Sequence, residues 1–60
     1  MERIIREPER RLISGIPRAV WWRLEREGKV PRRVQISKRA VGWLESEIEA
    51  WLRERAEARP

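Results

Sequence analysis

The sequence predicts a small α+β domain with elements in the order helix, helix, β-hairpin, helix. Two segments compatible with helices each begin near a proline and end at a glycine, Gly15 and Gly28. Apolar and polar residues then alternate over residues 33–43, which is typical of paired strands with one buried face. The last segment returns to helical spacing, with apolar residues three and four positions apart.

The first helix is predicted over residues 8–14. Pro8 suits the first helical position, the flanking glutamates suit the positive end of the helix dipole, and Gly15 provides a natural end. The residues before it, 1–6, are predicted to be extended, with two isoleucines that can pack or pair. The apolar residues of this helix are Leu12 and Ile13.

The second helix is predicted over residues 17–28, opened by Pro17 and ended by Gly28. Val20 or Trp21, together with Leu24, supplies its inward stripe. Trp21 and Trp22 are about 100° apart on a helix, so they cannot both point inward, and the sequence leaves open which one is buried. Two helices joined by a short turn containing glycine form a helix-turn-helix unit.

The hairpin is predicted over residues 33–43, with strands near 33–36 and 40–43 and a tip at 37–39. Its apolar residues are expected to face inward together: Val34, Ile36, Val41 and Trp43. The third helix is predicted over 46–57, where Ser46 and Glu49 fit the capping-box spacing. Its buried stripe is Ile48, Trp51 and Leu52. The chain, 1–60, is expected to form a single domain.

Positive charge is concentrated in the middle of the chain. The formal net charge is +5, and residues 31–43 hold four cations and no acid, whereas residues 44–60 hold three cations and five glutamates. Exposed cations also have structural explanations, because they discourage aggregation at strand edges and form the solvated faces of helices. Four cations without an acid, however, exceed what the protection of a strand edge requires. Because most of them are arginine, which grips phosphate with a planar fork, the predicted partner is a polyanion, foremost nucleic acid.

Several function classes are disfavoured by what the chain lacks. It has no cysteine and no histidine, so it has no disulfide, no thiolate metal site and no imidazole base. We therefore expect no enzyme, no metal or other cofactor, and no small-molecule substrate. No apolar run approaches the roughly 18 residues of a membrane span, and no signal peptide is visible. A cytoplasmic protein without a membrane partner is expected.

The run Arg18–Pro31, followed by Val34–Ile36, Ala40–Trp43 and Ser46–Trp51, resembles the AlpA family of small prophage-associated regulators. The likeness covers about residues 3–55. Its most specific parts are Gly28 with Pro31, and Trp43 followed eight residues later by Trp51. It implies a winged helix-turn-helix related to the excisionases and to the MerR-type DNA-binding domain. The chain departs from the family pattern at three positions. Pro17 replaces a capping serine, and Ser37 replaces a common glycine. Arg10 replaces a small apolar residue, so we expect Leu12 to shift in order to close the first helix.

The resemblance implies that the second helix enters the major groove of double-stranded DNA and that the hairpin is the wing. By position, it implicates Arg18, Ala19, Trp22, Arg23 and Arg26 in the helix, and Lys38 and Arg39 in the wing. Further candidate contacts are Arg32, Arg33 and Ser37.

The expected function is sequence-specific DNA binding on the bacterial nucleoid, by a phage- or prophage-type transcriptional regulator or excisionase. Further copies of the chain on adjacent sites and an integrase are candidate partners. The alternative is a protein-interaction module, such as a phage-encoded inhibitor of a host protein, which an exposed Trp21 or Trp22 would favour. A basic membrane-surface peptide is a more distant alternative, because the apolar residues are spread over four elements.

Overall fold

The computed structural model describes residues 1–59, in which three helices lie against a three-stranded antiparallel sheet. The elements are β1 (Ile4–Ile5), α1 (Glu7–Ser14), α2 (Arg18–Arg26), β2 (Val34–Ser37), β3 (Ala40–Leu44) and α3 (Glu45–Ala58). The strand order is β1-β3-β2. The predicted fold class is confirmed. The two isoleucines ahead of α1, expected only to pack or pair, form the third strand of the sheet.

A short link joins α1 to α2. Gly15 follows α1 with φ of 70°, a left-handed conformation that costs a glycine little, and its N–H donates to the carbonyl of Arg11 at 2.9 Å. Pro17 stands just outside α2 as its N-cap residue rather than as its first helical residue. Because α2 ends at Arg26, it has nine residues and is shorter than the predicted 17–28.

The predicted capping box at the start of the third helix is wrong. α3 begins at Glu45, directly after β3, so Ser46 lies inside the first turn and cannot act as the N-cap. The cap comes from the other end of the chain instead. The carboxylate of Glu2 accepts hydrogen bonds from the Ser46 N–H at 3.0 Å and from the Ser46 hydroxyl at 2.6 Å. Contacts distant in sequence therefore stabilise this helix end.

The core is built around Trp21, which resolves the choice between the two adjacent tryptophans. Trp21 is buried and meets Trp43 edge-on, with ring centroids 6.0 Å apart, and Trp51 at 5.4 Å. Trp22 is 56% exposed, and Val20 is also exposed. The buried residues that complete the core are Ile5, Val30 and Ile48. The second helix is therefore held by one face only, which leaves its opposite face free.

An arginine, and not the predicted apolar pair, anchors α1. Arg10 is fully buried, whereas Leu12 is 84% exposed and Ile13 is exposed as well, so the expectation that Leu12 closes the first helix is wrong. The guanidinium of Arg10 lies over the rings of Trp21 and Trp43, at 4.6 and 5.8 Å from their centroids. It also pairs with Glu7 and donates to the Ser14 hydroxyl and to the carbonyl of Ile16 at 2.6 Å.

The hairpin does not turn all its apolar residues to one side, as was expected. A β-bulge between Gln35 and Ser37 shifts the register, so that Val34 lies opposite Gly42 and Gln35 opposite Val41. A one-residue shift moves side chains to the other face of a sheet. The prediction holds for Trp43, which is buried. It fails for Ile36, which is 45% exposed, and for Val34, which lies opposite Gly42 and therefore on the side of the sheet away from Trp43.

Candidate nucleic-acid interface

The free face of α2 carries the helix residues expected to contact DNA. At 100° per residue these five positions fall within an arc of about 140°, opposite the side that buries Trp21. All five are exposed: Arg18, Ala19, Trp22, Arg23 and Arg26. Among the described residues, none of the three arginines forms an ion pair. The structure therefore brings these positions together as one cationic face centred on an exposed indole.

The start of α2 adds to the positive potential of this face. Pro17 provides no side-chain cap, and the first turn contains no acidic residue. Its first helical residue is Arg18, whose charge lies beside the positive end of the helix dipole. The first turn of α2 therefore holds no negative charge that would offset the field met by an approaching phosphate.

The wing residues lie at the tip of the hairpin. Lys38 and Arg39 form the turn between β2 and β3, and Ser37 is the last residue of β2 rather than part of the loop. All three are exposed, and neither cation is paired with a carboxylate in residues 1–59. The Gln35 side chain donates to the carbonyl of Ser37. The tip therefore presents two unpaired positive charges.

Arg33 is held by α2. Its Nε and Nη2 donate to Oε1 of Glu25 at 3.0 and 2.5 Å, and its backbone N–H donates to Oε2 at 2.7 Å. Its guanidinium also lies 5.5 Å from the ring centroid of Trp22. Arg32, by contrast, is exposed and has no carboxylate partner among the described residues. Of the two neighbouring candidates, Arg32 is thus the cation without a carboxylate partner in residues 1–59, and Arg33 joins α2 to the segment that leads into β2.

Glu25 is a residue that the sequence reasoning missed. Burial raises its pKa, but the hydrogen bonds from the side chain and backbone of Arg33 more than offset this, so its pKa is lowered. Its carboxylate is therefore ionised at neutral pH and holds Arg33 beside Trp22. The sequence feature that could have indicated this role is that Glu25 is the one acidic residue in a helix that contains three arginines.

Other kinds of site find little support in the part of the chain that the structure describes. Residues 1–59 contain no group of three or more histidine, cysteine or acidic side chains placed to hold a metal ion. Within the same range, no helix has the length and apolar character needed to cross a membrane.

The fold and the cationic surface define a class, the winged helix-turn-helix proteins. A family model described as "Prophage CP4-57 regulatory protein (AlpA)" matches residues 3–56. The chain belongs to this AlpA family, which is a phage regulatory and DNA-binding family rather than an enzymatic one. The chain is also similar to "Uncharacterized protein ORF88" of Enterobacteria phage P4, with 37% identity over 51 residues. That match covers 85% of this chain and 58% of the phage P4 protein, so the chain spans little more than half the length of this relative.

Proposed function

We propose that this protein binds a specific sequence in double-stranded DNA and acts as a phage-type transcriptional regulator or as an excisionase. The observation that carries the proposal is that the cations on the free face of α2 and at the wing tip have no carboxylate partner in residues 1–59, whereas Arg10 and Arg33 are ion-paired. Arginine on a helix reads guanine through its two major-groove acceptors, and cations on a wing grip phosphates or the minor groove.

In this proposal, Arg23 and Arg26 contact base edges, Trp22 packs on a base or sugar, and Arg18 holds a phosphate near the start of the helix. Lys38 and Arg39 contact the backbone beside the groove, with Arg32 and Ser37 at the flank. The nine-residue helix is about 14 Å long, which spans about four base pairs. A site this short has limited affinity, so further copies on adjacent sites complete the binding.

The proposal is tested by measuring the affinity of alanine variants for the cognate site and for unrelated DNA over a range of salt concentrations. Lys38→Ala with Arg39→Ala weakens binding to every sequence and flattens the salt dependence by about 0.9 in slope for each phosphate that is no longer neutralised. Arg23→Ala weakens the cognate complex by about 1–3 kcal/mol and relaxes sequence preference. Arg53→Ala is the matched control, because Arg53 is an exposed cation on α3. Equal affinity of Arg23→Ala and wild type for both DNAs would rule out the groove assignment.

The regulator and excisionase roles differ in where the protein binds. An excisionase binds the attachment site of its element, bends it and acts with an integrase, whereas a regulator binds a promoter. Footprinting of both regions on the same genetic element separates the two roles. Either role places the protein on nucleoid DNA in the cytoplasm.

The second candidate function is binding to a host protein, and the exposure of Leu12 and Trp22 favours it. Leu12, which is 84% exposed, lines one surface groove with Pro8 and Pro17, and a contiguous apolar patch is a feature of protein contact surfaces. Leu12→Gln distinguishes the two functions, because this residue is outside the proposed DNA contacts. If the biological activity is lost while DNA affinity stays at the wild-type level, α1 binds a protein partner.

A further inference from the structure

A hollow of about 160 Å³ lies between α2 and the hairpin formed by β2 and β3. Trp21 and Trp22 of α2 line it together with Val41 and Trp43 of β3. The charged residues around it are Glu7, Arg18 and Arg33. Trp21 and Trp43 meet edge-on in the core, but the hollow shows that the helix and the hairpin are not packed continuously against each other. Polar contacts therefore matter for the angle between them.

One carboxylate joins the helix to the hairpin beside this hollow. Glu25 of α2 accepts hydrogen bonds from the backbone N–H, Nε and Nη2 of Arg33, the residue directly before β2. Because the guanidinium is planar and one bond comes from the backbone, these contacts fix both the position and the direction in which the strand begins. The Glu25 side chain is only 10% exposed, so water screens the pair weakly. We call this pair the Glu25–Arg33 clasp.

The other charged groups near the clasp do not replace either partner. They are Glu7, Arg18, Arg26 and Arg32. Glu7 is paired with Arg10, and in residues 1–59 none of these three arginines forms an ion pair with Glu25. The backbone N–H of Arg33 also ties Glu25 to one position in the chain, which no neighbouring guanidinium can reproduce.

The position of the wing tip depends on the angle at which β2 leaves the clasp. Lys38 is five residues beyond Arg33, which corresponds to about 16 Å of extended chain. Over this length a rotation of about 10° moves the tip by about 3 Å. Phosphates of one DNA strand follow each other at about 3.4 Å along the helix axis. A small change at the clasp would therefore carry the tip from one phosphate to the next.

We propose that Glu25 is a positioning residue that locks the wing to α2, so that helix and wing bind DNA as one rigid unit. This inference rests on the proposed function. A rigid connection raises the effective concentration of the second contact once the first has formed, and a loose connection lowers it. Glu25 thereby contributes to sequence preference without touching a base, because the wing reaches its phosphates only when α2 lies in the correct place in the groove.

The test removes the wing contacts with the clasp present and with the clasp broken. Lys38→Ala with Arg39→Ala is introduced into the wild-type chain and into Glu25→Gln, and affinity for the cognate site is measured. Glutamine keeps the size of the side chain, but it has no charge and its amide presents N–H donors where a carboxylate oxygen accepts. The factor by which the wing substitutions weaken binding is expected to be about threefold to tenfold smaller in the Glu25→Gln background.

Glu25→Gln alone separates positioning from charge and from stability. We expect the cognate complex to weaken by about threefold to tenfold, while binding to unrelated DNA stays the same or tightens slightly because one negative charge is lost. Unfolding would instead weaken both complexes, and thermal melts establish that the variant is folded. Arg33→Lys keeps the net charge but loses the planar fork, so it is expected to reduce the wing factor as well.

Glu27→Gln is the matched control. It removes the same charge directly after α2 and breaks only the exposed pair with Lys29. We expect its wing factor to equal that of wild type. Equal wing factors in the wild-type and Glu25→Gln backgrounds would overturn the proposal. Equal gains in affinity for both DNAs in Glu25→Gln would also overturn it, since they would show that Glu25 acts through its charge alone.

A measurement without DNA keeps this inference separate from the proposed function. Residual dipolar couplings of the free protein report how the amides of β2 and β3 are oriented relative to those of α2. One alignment is expected to fit both parts in wild type and to fail for Glu25→Gln and Arg33→Lys. If one alignment fits both variants as well as wild type, the clasp does not hold the wing. If wild type does not discriminate between the two DNAs, the proposed function fails, and the couplings still decide whether the clasp exists.

Discussion

Replacing Arg10 with alanine is predicted to cost this protein much of its stability. Arg10 is fully buried, and its guanidinium makes the polar contact between α1 and the turn that follows it. The side chain also fills the space between Trp21 and Trp43. Alanine removes the charge, the hydrogen bonds and most of the volume at once.

The size of the effect follows from these contacts. A hydrogen bond to a charged group contributes about 1.5–3 kcal/mol, and a desolvated cation–π contact contributes about 0.5–2 kcal/mol. Breaking a buried ion pair costs about 3–5 kcal/mol, although here the Glu7 left behind is partly exposed and can hydrate. We therefore expect Arg10→Ala to lower the free energy of unfolding by about 3–4 kcal/mol. A chain of 60 residues has only about 3–9 kcal/mol in total.

Urea denaturation followed by far-UV circular dichroism measures this change. Arg10→Met keeps the unbranched stem against the tryptophans and is expected to lose about half as much stability. Leu12→Ala, in the same helix, is the control and stays within about 0.5 kcal/mol of wild type. A loss of less than about 1 kcal/mol for Arg10→Ala would show that the buried guanidinium does not anchor α1.

Two further predictions concern the sheet and the Glu25–Arg33 pair. Gly42→Ala places a Cβ atom 2.5 Å from Cγ2 of Ile4 and 2.9 Å from the carbonyl oxygen of Ile5, so β1 must move. We expect the free energy of unfolding, measured by thermal denaturation, to fall by about 1–3 kcal/mol. An unchanged melting temperature would contradict the close packing of β1 against Gly42. The pKa of Glu25 is lowered from 4.5, so its contribution to stability is complete above that pH and is lost as the pH falls through the lower folded-state value. Glutamine does not titrate, so the unfolding midpoint of Glu25→Gln falls less steeply with decreasing pH than that of wild type. Equal slopes would show that the Glu25–Arg33 pair does not contribute to the acid sensitivity of the fold.

The order of elements was predictable because it depends on local signals. Gly15 ends α1 because glycine adopts the left-handed conformation at little cost. Pro8 is favoured in the first turn of a helix irrespective of the tertiary contacts around it. These signals are read within a few residues of the chain. They were sufficient for three helices and a hairpin in the correct order.

The features that could not be predicted depend on distant partners. Arg10 can be buried only because Trp21 and Trp43, from two other elements, flank it, and helical spacing carries no information about them. The bulge near Ile36 changes which face of the hairpin this residue occupies, although the alternation of residue types is unchanged by it. Glu25 illustrates the same limit at the candidate site, since its pairing with Arg33 spans eight residues and a change of element.

The pairing of β1 with β3 has a consequence for the order of events during synthesis. Ile5 and Trp43 are partners in the sheet, so the first strand has no place to bind until Trp43, 38 residues further along the chain, has been made. Arg10 likewise cannot complete its contacts until then, because its second aromatic neighbour is also Trp43. As the chain leaves the ribosome, α1 and α2 therefore emerge without a core to join. We expect the sheet, the aromatic cluster and the cap on α3 to form together, late, and in one cooperative step.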